Sequence, residues 1–249
     1  LFARRGAHIV IGDIAEEAAH KLSASLSGTS IKCDVTKSND VDALAQHAVS
    51  HFGKIDVFIN NAGIAPIPNE ERFATAVANQ MLRLENDVAA TTPLNVITDM
   101  TDEEWDHMLK VHLYGTFYGC RAAARYMTPQ RSGSIINISS ICAVASFKGL
   151  THYSASKAAL EQLTRVMGHE LAEKKIRVNA LAPGYLMTDM VADYYATEAG
   201  QKDLQTLPLG RAGDLAELDG VLLLLASDAS SYMSGSVITA DAGHSIRLG

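Results

Sequence analysis

The chain has 249 residues, of which 47% are hydrophobic and 20% are charged, so it can form one large α/β domain with a substantial core. Its formal net charge of −7 argues against a general nucleic-acid or membrane-surface binder, because such proteins present basic patches. Three scattered cysteines suit a reduced, cytoplasmic protein better than a disulfide scaffold, and the longest apolar runs are too short to cross a bilayer.

Short runs rich in Val and Ile alternate with helical patterns along the chain. The runs predict buried strands at 8–12, 30–34, 56–60, 134–139, 177–182 and 237–240. Helical patterns lie between them, at 16–26, 40–52, 101–126, 153–173 and 214–227. Thr101 and Glu104 have the spacing of a capping box at the start of the third helix. This alternation predicts a doubly wound parallel sheet with helices on both faces, in a single domain over 1–249.

One segment interrupts the alternation. About forty residues separate the third strand from the third long helix, which is unusually long for a structureless loop. Four apolar residues in this segment recur at helical spacing: Phe73, Val77, Met81 and Leu84. They predict an extra amphipathic helix at 70–87, within an insertion at 70–92. The insertion is either a peripheral addition or a wall of a ligand pocket, since loops after strand ends face the ligand crevice in such sheets.

Tyr153 and Lys157 belong to the stretch YSASK on a predicted helix. Residues i and i+4 project from the same helix face, so the phenol and the ammonium are neighbours. A nearby cation favours the phenolate and lowers a pKa that is otherwise near 10. Tyr153 would then be able to exchange a proton with a substrate alcohol or carbonyl. Taken alone, the pair also occurs on ordinary surface helices.

Polar or glycine-containing stretches follow most of the predicted strands. They are Asp13, CDV at 33–35, NNAG at 60–63, the serine pair at 139–140 and PGYLMT at 183–188. The carboxyl ends of parallel strands form one edge of the sheet, and an open α/β sheet builds its site at that edge.

In this order and spacing, the motifs NNAG, Ser, YxxxK and PGxxxT resemble those of the short-chain dehydrogenase/reductase family with a Ser-Tyr-Lys active site. The resemblance covers nearly the whole chain outside the insertion. It implies a Rossmann-type sheet and a reversible hydride transfer between a nicotinamide cofactor and a secondary alcohol or ketone. The cofactor carries the hydride, and the protein supplies orientation and manages the proton.

The resemblance also implies a role for each matching residue. Tyr153 would be the catalytic acid or base, and Lys157 would lower its pKa and hold the nicotinamide ribose. Ser140, rather than its neighbour Ser139, would orient the substrate oxygen. Contacts with the cofactor are implied for Tyr153, Lys157 and a further set of residues: Asp34, Val35, Asn60, Asn61, Ala62, Gly63, Pro183, Gly184 and Thr188.

Asp13 bears on the choice of cofactor. A carboxylate at the end of the second family strand can accept bonds from both ribose hydroxyls of NAD, and it would repel the 2′-phosphate of NADP. No Arg or Lys follows at 14–17 to offset that charge. We therefore expect NAD. The alternative interpretation of Asp13 is an N-cap for the next helix.

His112 departs from the family pattern, which often has an asparagine in a Val-Asn-Leu setting. That asparagine is understood to hold a water molecule in the proton path. His112 would serve as a further catalytic residue if it bound this water or relayed protons, since imidazole titrates near neutrality. The open alternative is that it only fills the space. The remaining histidines and cysteines show no ligand spacing, so no metal site is expected.

The substrate is expected to be uncharged and fairly hydrophobic. Residues expected near the pocket are mostly apolar: Ala143, Ala145, Phe147, Tyr185, Met187 and Met190. A ketone or secondary alcohol fits this pocket, and a 3-oxoacyl thioester of acyl-carrier protein is the nearest alternative. An alternative of another class is a non-catalytic scaffold or regulatory protein that keeps the fold.

The helices at 101–126 and 153–173 resemble those through which family members pair into dimers and tetramers. Both carry apolar residues on more than one face. We therefore expect a homotetramer with two-fold axes.

The opening stretch LFARRGA looks like the end of a helix that Gly6 stops. Family members begin with a strand and a glycine-rich turn, which approaches the cofactor pyrophosphate at the start of such a helix. We expect about 20–30 further residues before Leu1, including a central strand between those at 8–12 and 56–60. The described sheet should then show a gap at that place.

Overall fold

The computed structural model describes residues 1–64 and 70–246, and the side chains of Glu70 and Met190 lie outside this description. The expectation that Met190 lies near the substrate therefore falls outside the described residues. The strands are β1 (Val10–Asp13), β2 (Thr29–Lys32), β3 (Val57–Asn60), β4 (Gly133–Ile138), β5 (Ile176–Pro183) and β6 (Val237–Ala240). Each strand overlaps a predicted run, and their ends differ by two residues at most.

The helices lie between and around these strands. They are α1 (Glu16–Ser25), α2 (Ser38–Phe52), α3 (Glu70–Leu84), α4 (Val96–Asp99), α5 (Asp102–Leu109), α6 (Gly115–Gln130), α7 (Thr151–Ala172), α8 (Asp189–Tyr195), α9 (Glu198–Thr206) and α10 (Asp219–Ala226). A π-helical segment at Lys110–Tyr114 joins α5 to α6, so the predicted helix at 101–126 is continuous but not regular. Within the described residues, we find no helix with the length and apolar character needed to cross a membrane.

All described strand pairs are parallel, as the alternation of strands and helices predicts. One sheet has the order β3-β4-β5-β6, and β1 pairs with β2 in a second sheet. The strands β1 and β3 thus belong to different sheets.

Helices cover both faces of the four-stranded sheet. On one face, Val41 of α2 and Cys120 of α6 are buried in a cluster with Ile135 of β4. On the other face, Leu225 of α10 is buried against Ile136 of β4. Adjacent residues of β4 therefore enter different clusters, since successive side chains of a strand point to opposite faces.

The inserted helix α3 packs against α9 and is tied to α5. Gln80 Nε2 donates a hydrogen bond to Asp203 Oδ1 on α9 at 2.9 Å. Arg72 Nη1 lies 3.2 Å from Glu104 Oε1 on α5. The same Glu104 completes the capping box of α5 with Thr101, as its spacing predicts. The insertion is therefore fixed at two points beside the segment that follows β5.

Candidate active site

Tyr153 and Lys157 lie one turn apart on α7 and meet at the carboxyl end of β4. Lys157 is only 5% exposed, and its Nζ donates a hydrogen bond to the Ile138 carbonyl at 2.9 Å. The same Nζ lies 5.6 Å from the centroid of the Tyr153 ring. The spacing of YSASK thus brings a phenol and an ammonium group together inside the protein rather than on its surface.

Burial governs the protonation of this pair. It raises the pKa of Tyr153 to about 12, while a hydrogen bond with Ser140 acts in the opposite direction. Burial also lowers the pKa of Lys157 to about 8. Both groups are desolvated, which disfavours their charged forms, and Nζ is directed to the Ile138 carbonyl. The role of Lys157 in lowering the pKa of the phenol stays a prediction.

The two serines after β4 have different partners. Ser139 Oγ donates a hydrogen bond to Oε1 of the buried Glu161 at 2.9 Å. Ser140 accepts the Cys142 N–H at 3.2 Å at the start of a short 3₁₀ turn, and its hydroxyl lies near enough to Tyr153 to oppose the rise in the pKa of the phenol. Ser140 is therefore the serine that shares the site with Tyr153.

His112 lies in the π-helical segment and is almost fully buried. Its Nε2 accepts the Ile64 N–H at 2.9 Å, and its Nδ1 lies 3.1 Å from Ser156 Oγ. Its ring meets the edge of the Tyr153 ring, with the centroids 5.2 Å apart. Because both nitrogens already have protein partners, the geometry does not favour the interpretation of His112 as a water-binding relay.

Asp13 stands at the end of β1, with its side chain exposed. Its Oδ1 accepts the Ala15 N–H at 2.9 Å. Ala15 itself occupies the N-cap position of α1, so Asp13 supports the start of the helix without being its cap. The carboxylate remains accessible at the sheet edge where the adenine ribose is expected.

Asp34 and Val35 follow β2. Asp34 Oδ1 accepts the N–H and the hydroxyl of Thr36 at 3.0 and 2.7 Å, and Lys37 Nζ lies 3.2 Å from Oδ2. The hydrogen bond with the Thr36 hydroxyl is the main reason that the pKa of Asp34 lies below its usual value. Val35 packs against Gly115, where a Cβ would come within 3.1 Å of the Val35 side chain. Both residues thus shape the loop between β2 and α2.

The NNAG turn follows β3. Asn60 is turned into the protein, where its Nδ2 donates a hydrogen bond to Asn137 Oδ1 at 2.8 Å. Asn61, Ala62 and Gly63 are exposed at the sheet edge. The turn is therefore held by its first residue, and the other three are left exposed at the sheet edge.

The loop after β5 passes very close to the end of β6. The Gly184 N–H donates a hydrogen bond to the Ala240 carbonyl at 3.0 Å. A Cβ at Gly184 would lie 2.6 Å from Asp241 Cβ, so only glycine fits without displacement of the chain. Pro183 ends β5, and Thr188 is half-buried at the N-terminus of α8, where its side chain makes no capping bond. The loop thus leaves the Thr188 hydroxyl available to a ligand.

An aromatic cluster lies beside this loop. Phe147 stacks on His244 with ring centroids 6.0 Å apart, and the edge of Tyr185 meets Phe147, His244 and Tyr195 at 6.2, 5.3 and 6.3 Å. The Tyr195 hydroxyl and His244 Nδ1 are buried without a hydrogen-bond partner in the described part of the chain. Tyr195 and His244 are not among the residues expected near the pocket, because nothing in their local sequence indicates that they meet Phe147.

No metal centre is indicated in the part of the chain that the structure describes, where no three His, Cys, Asp or Glu residues are placed to hold an ion. The site therefore consists of a largely buried Ser-Tyr-Lys cluster whose tyrosine is half-buried, a set of strand-end loops on one sheet edge and an adjoining aromatic cluster.

Sequence comparison identifies the class of protein that this fold and site define. A family model described as short chain dehydrogenase matches residues 1–199, so the chain belongs to the short-chain dehydrogenase/reductase family. It is accordingly an oxidoreductase with a Rossmann-type fold.

Relatives extend over nearly the whole chain. The chain is 37% identical over 249 residues to an uncharacterized oxidoreductase of Mycobacterium bovis, covering 98% of this chain and 90% of that protein. It is 35% identical over 248 residues to a 3-oxoacyl-[acyl-carrier-protein] reductase of Thermotoga maritima, covering 98% and 89%. It is also 35% identical over 246 residues to a mitochondrial borneol dehydrogenase of Lavandula x intermedia, covering 99% and 84%.

A solved structure with the same fold is a gluconate 5-dehydrogenase from Burkholderia cenocepacia in complex with NADP and tartrate. It matches with a TM-score of 0.83 and 28% identity, covering 99% of this chain and 88% of that one. The names of these proteins point to different substrates, so the similarity defines the reaction class but not the substrate.

Proposed function

We propose that the chain is an NAD-dependent oxidoreductase that interconverts an uncharged, fairly hydrophobic secondary alcohol and its ketone. The observation that carries this proposal is the cluster of buried Ser140 and Lys157 with half-buried Tyr153 at the carboxyl end of β4. Groups that transfer protons in catalysis occupy such desolvated positions, whereas a Tyr-Lys pair on a surface helix would face water.

The residues of the chain manage the proton at the substrate oxygen. A nicotinamide cofactor supplies or accepts the hydride when it is bound. The Ser140 hydroxyl orients the substrate oxygen by a hydrogen bond, and the Tyr153 hydroxyl gives the proton to it or takes the proton from it. The Lys157 ammonium, 5.6 Å from the phenol ring centroid, offsets the negative charge that the phenolate carries between turnovers.

The strand-end residues fit an extended dinucleotide. Exposed Asp13 would hold the adenine ribose, and Asp34 and Val35 would border the adenine. The remaining contacts would come from the NNAG turn, the catalytic pair and the loop after β5: Asn61, Ala62, Gly63, Tyr153, Lys157, Pro183, Gly184 and Thr188. All of these residues lie at the carboxyl ends of parallel strands or on α7 beside them, which is where such sheets bind nucleotides.

The substitution Tyr153→Phe tests the proposed reaction. It should lower turnover by about 10²–10⁴-fold, the usual contribution of general acid–base catalysis, because the variant lacks the hydroxyl that transfers the proton. NADH binding, followed by nicotinamide fluorescence, should remain close to that of the unaltered chain. Turnover close to that of the unaltered chain would remove Tyr153 from the mechanism. Absent NADH binding in the unaltered chain would favour the non-catalytic scaffold instead.

The aromatic cluster supports a hydrophobic substrate. Phe147, Tyr185, Tyr195 and His244 present rings rather than charged side chains next to the loop that carries Thr188. The similarity to the Thermotoga maritima reductase favours the alternative, a 3-oxoacyl thioester of acyl-carrier protein. A turnover panel that contains cyclic ketones, open-chain ketones and a 3-oxoacyl thioester separates these substrate classes.

A cytoplasmic homotetramer is part of the same proposal. The described cysteines Cys33, Cys120 and Cys142 are all free, which supports a reducing compartment. Large apolar side chains are exposed along the irregular helix before β4 and along α7, which supports self-association through these helices.

A further inference from the structure

We propose that His112 is a positioning residue. As a neutral ring with its proton on Nδ1, it ties the loop after β3 to the catalytic helix α7. It would thereby hold the cofactor side and the proton-transfer side of the site in a fixed relation.

The hydrogen-bond partners determine which nitrogen carries the proton. A backbone N–H can only donate, so the Ile64 N–H at 2.9 Å requires a lone pair on Nε2. The proton must then be on Nδ1, which faces Ser156 Oγ at 3.1 Å. Ser156 in turn donates to the Tyr153 carbonyl at 2.7 Å, so its oxygen is free to accept from Nδ1. Every donor in this series meets an acceptor, from the loop to the backbone of Tyr153.

The surroundings of His112 keep the ring neutral and in place. The residue is 1% exposed, and its burial, followed by the nearby Lys157, lowers its pKa to about 3. The edge-on contact with the Tyr153 ring fixes the plane of the imidazole. A neutral, fully bonded ring of this kind has neither a free nitrogen for water nor a proton to exchange near neutral pH.

The local backbone is adapted to this contact on both sides. A Cβ at Gly63 would lie 3.1 Å from His112 Nε2, so glycine allows the loop to approach the ring closely. On the other side, the wider turn of the π-helical segment at Lys110–Tyr114 carries the histidine. The part of this inference that concerns cofactor affinity rests on the proposed function, because it uses the expected contact between the NNAG turn and the cofactor.

The tautomer can be tested without turnover. Nitrogen-15 NMR of histidine side chains in the chain should show a neutral ring protonated on Nδ1 at neutral pH whose signal disappears in His112→Gln. His51, whose Nδ1 faces the His47 carbonyl at 2.9 Å, is also expected to carry a proton on Nδ1, and its signal should remain in that variant. If the signal that His112→Gln removes belongs to a ring protonated on Nε2, or to a charged ring, the inference is overturned. This measurement does not depend on the reaction, so it remains informative if the proposed function fails.

Two variants separate the two ends of the contact. Gln places an amide near the position of Nε2, so His112→Gln keeps an acceptor for Ile64 and loses the bond to Ser156. Asn places its amide near the position of Nδ1, so His112→Asn keeps a bond to Ser156 and loses the bond from the Ile64 N–H. We expect His112→Asn to raise the dissociation constant of NADH about tenfold with little change in kcat, and His112→Gln to lower kcat about tenfold with nearly unchanged NADH binding.

Two serine variants on α7 provide the matched control. Ser156→Ala should behave like His112→Gln, because it removes the same bond. Ser154→Ala removes a buried hydroxyl that has no partner among the described residues, so kcat and NADH binding should not change. If the two His112 variants lose thermal stability to the same extent while kcat and NADH binding stay unchanged, His112 only fills space and the inference is wrong.

Discussion

At the scale of single residues, Asp13 is the side chain on which our proposal of NAD rather than NADP rests. Its carboxylate is exposed at the end of β1, and one of its oxygens accepts the Ala15 N–H. Asp13→Asn keeps an oxygen for this bond and removes the charge that would repel a 2′-phosphate. The ratio of kcat/KM for NAD to that for NADP should therefore fall in this variant. An unaltered chain that already uses NADPH better than NADH would contradict our interpretation of Asp13.

Lys157 has a proposed catalytic role, but its burial lowers the stability of the folded protein. Burial lowers its pKa to about 8, while in the unfolded chain the ammonium is fully hydrated. Below pH 8 the folded protein therefore holds a disfavoured charge, and this penalty fades as the pH rises from 8 towards the ordinary lysine value of 10.5.

The substitution Lys157→Met should expose this penalty. At pH 7 its free energy of unfolding should exceed that of the unaltered chain, by at most about 3 kcal/mol because the bond to the Ile138 carbonyl is also lost. The advantage should shrink as the pH approaches 10, and turnover should be lost at every pH. Denaturant unfolding at several pH values measures the difference, and a difference that is independent of pH would show that Lys157 is not desolvated.

At the scale of elements, the packing of α7 includes one close contact between two glycines. Gly168 faces Gly235, and a Cβ at position 168 would lie 2.4 Å from the Gly235 nitrogen and 2.7 Å from its Cα. Gly235 also has a positive φ of 77°, a conformation that other residues rarely adopt. Neither partner can therefore take up a side chain, and α7 lies directly on the turn before β6.

Gly168→Ala should accordingly destabilise the protein by about 1–3 kcal/mol, the usual effect of overpacking. Gly220→Ala on α10 is the matched control, because a Cβ there meets no atom within 4 Å. The control should raise stability by about 0.5–1 kcal/mol through its better helix propensity. Thermal and urea unfolding measure the stability of both variants. Equal stability of Gly168→Ala and Gly220→Ala would contradict the close contact.

At the scale of the whole molecule, exposed apolar side chains support the proposed self-association. Tyr114 and Phe117 lie on the irregular helix before β4 and are 46% and 38% exposed, and Val166 on α7 is 51% exposed. In a single chain these side chains would expose apolar surface to water, and association of several copies would bury that surface.

We expect sedimentation of the unaltered chain to give the mass of four copies and that of Val166→Asp to give a smaller assembly. The reason is that a charge buried at an interface must lose its hydration. Leu215→Asp is the control, since Leu215 is 58% exposed and lies outside these helices. A single-chain mass for the unaltered protein would refute the tetramer.

The sequence by itself determined the fold class, because the signals involved are local. Buried strands have continuous Val- and Ile-rich sequences, and helices have apolar residues with a 3.6-residue period. These patterns predict all the described strands and the long helices, including α3 of the insertion. Short helices give few turns of periodicity, and α8 and α9 therefore carry no signal of this kind. The irregular turn at Lys110–Tyr114 depends on packing and was not predicted.

The candidate site was predictable where its members are close in the chain. Tyr153 and Lys157 follow from i, i+4 geometry, and the strand-end residues follow from the position of each strand; their roles in binding and catalysis stay predictions. Only the tertiary structure decided that Ser139 is bonded to Glu161 while Ser140 lies beside Tyr153, that burial raises the pKa of the phenol, and that His112 has a partner on each nitrogen. It also assembled the aromatic cluster from Phe147, Tyr185, Tyr195 and His244. Desolvation and contacts between distant segments exist only after the chain has packed, so no local pattern encodes them.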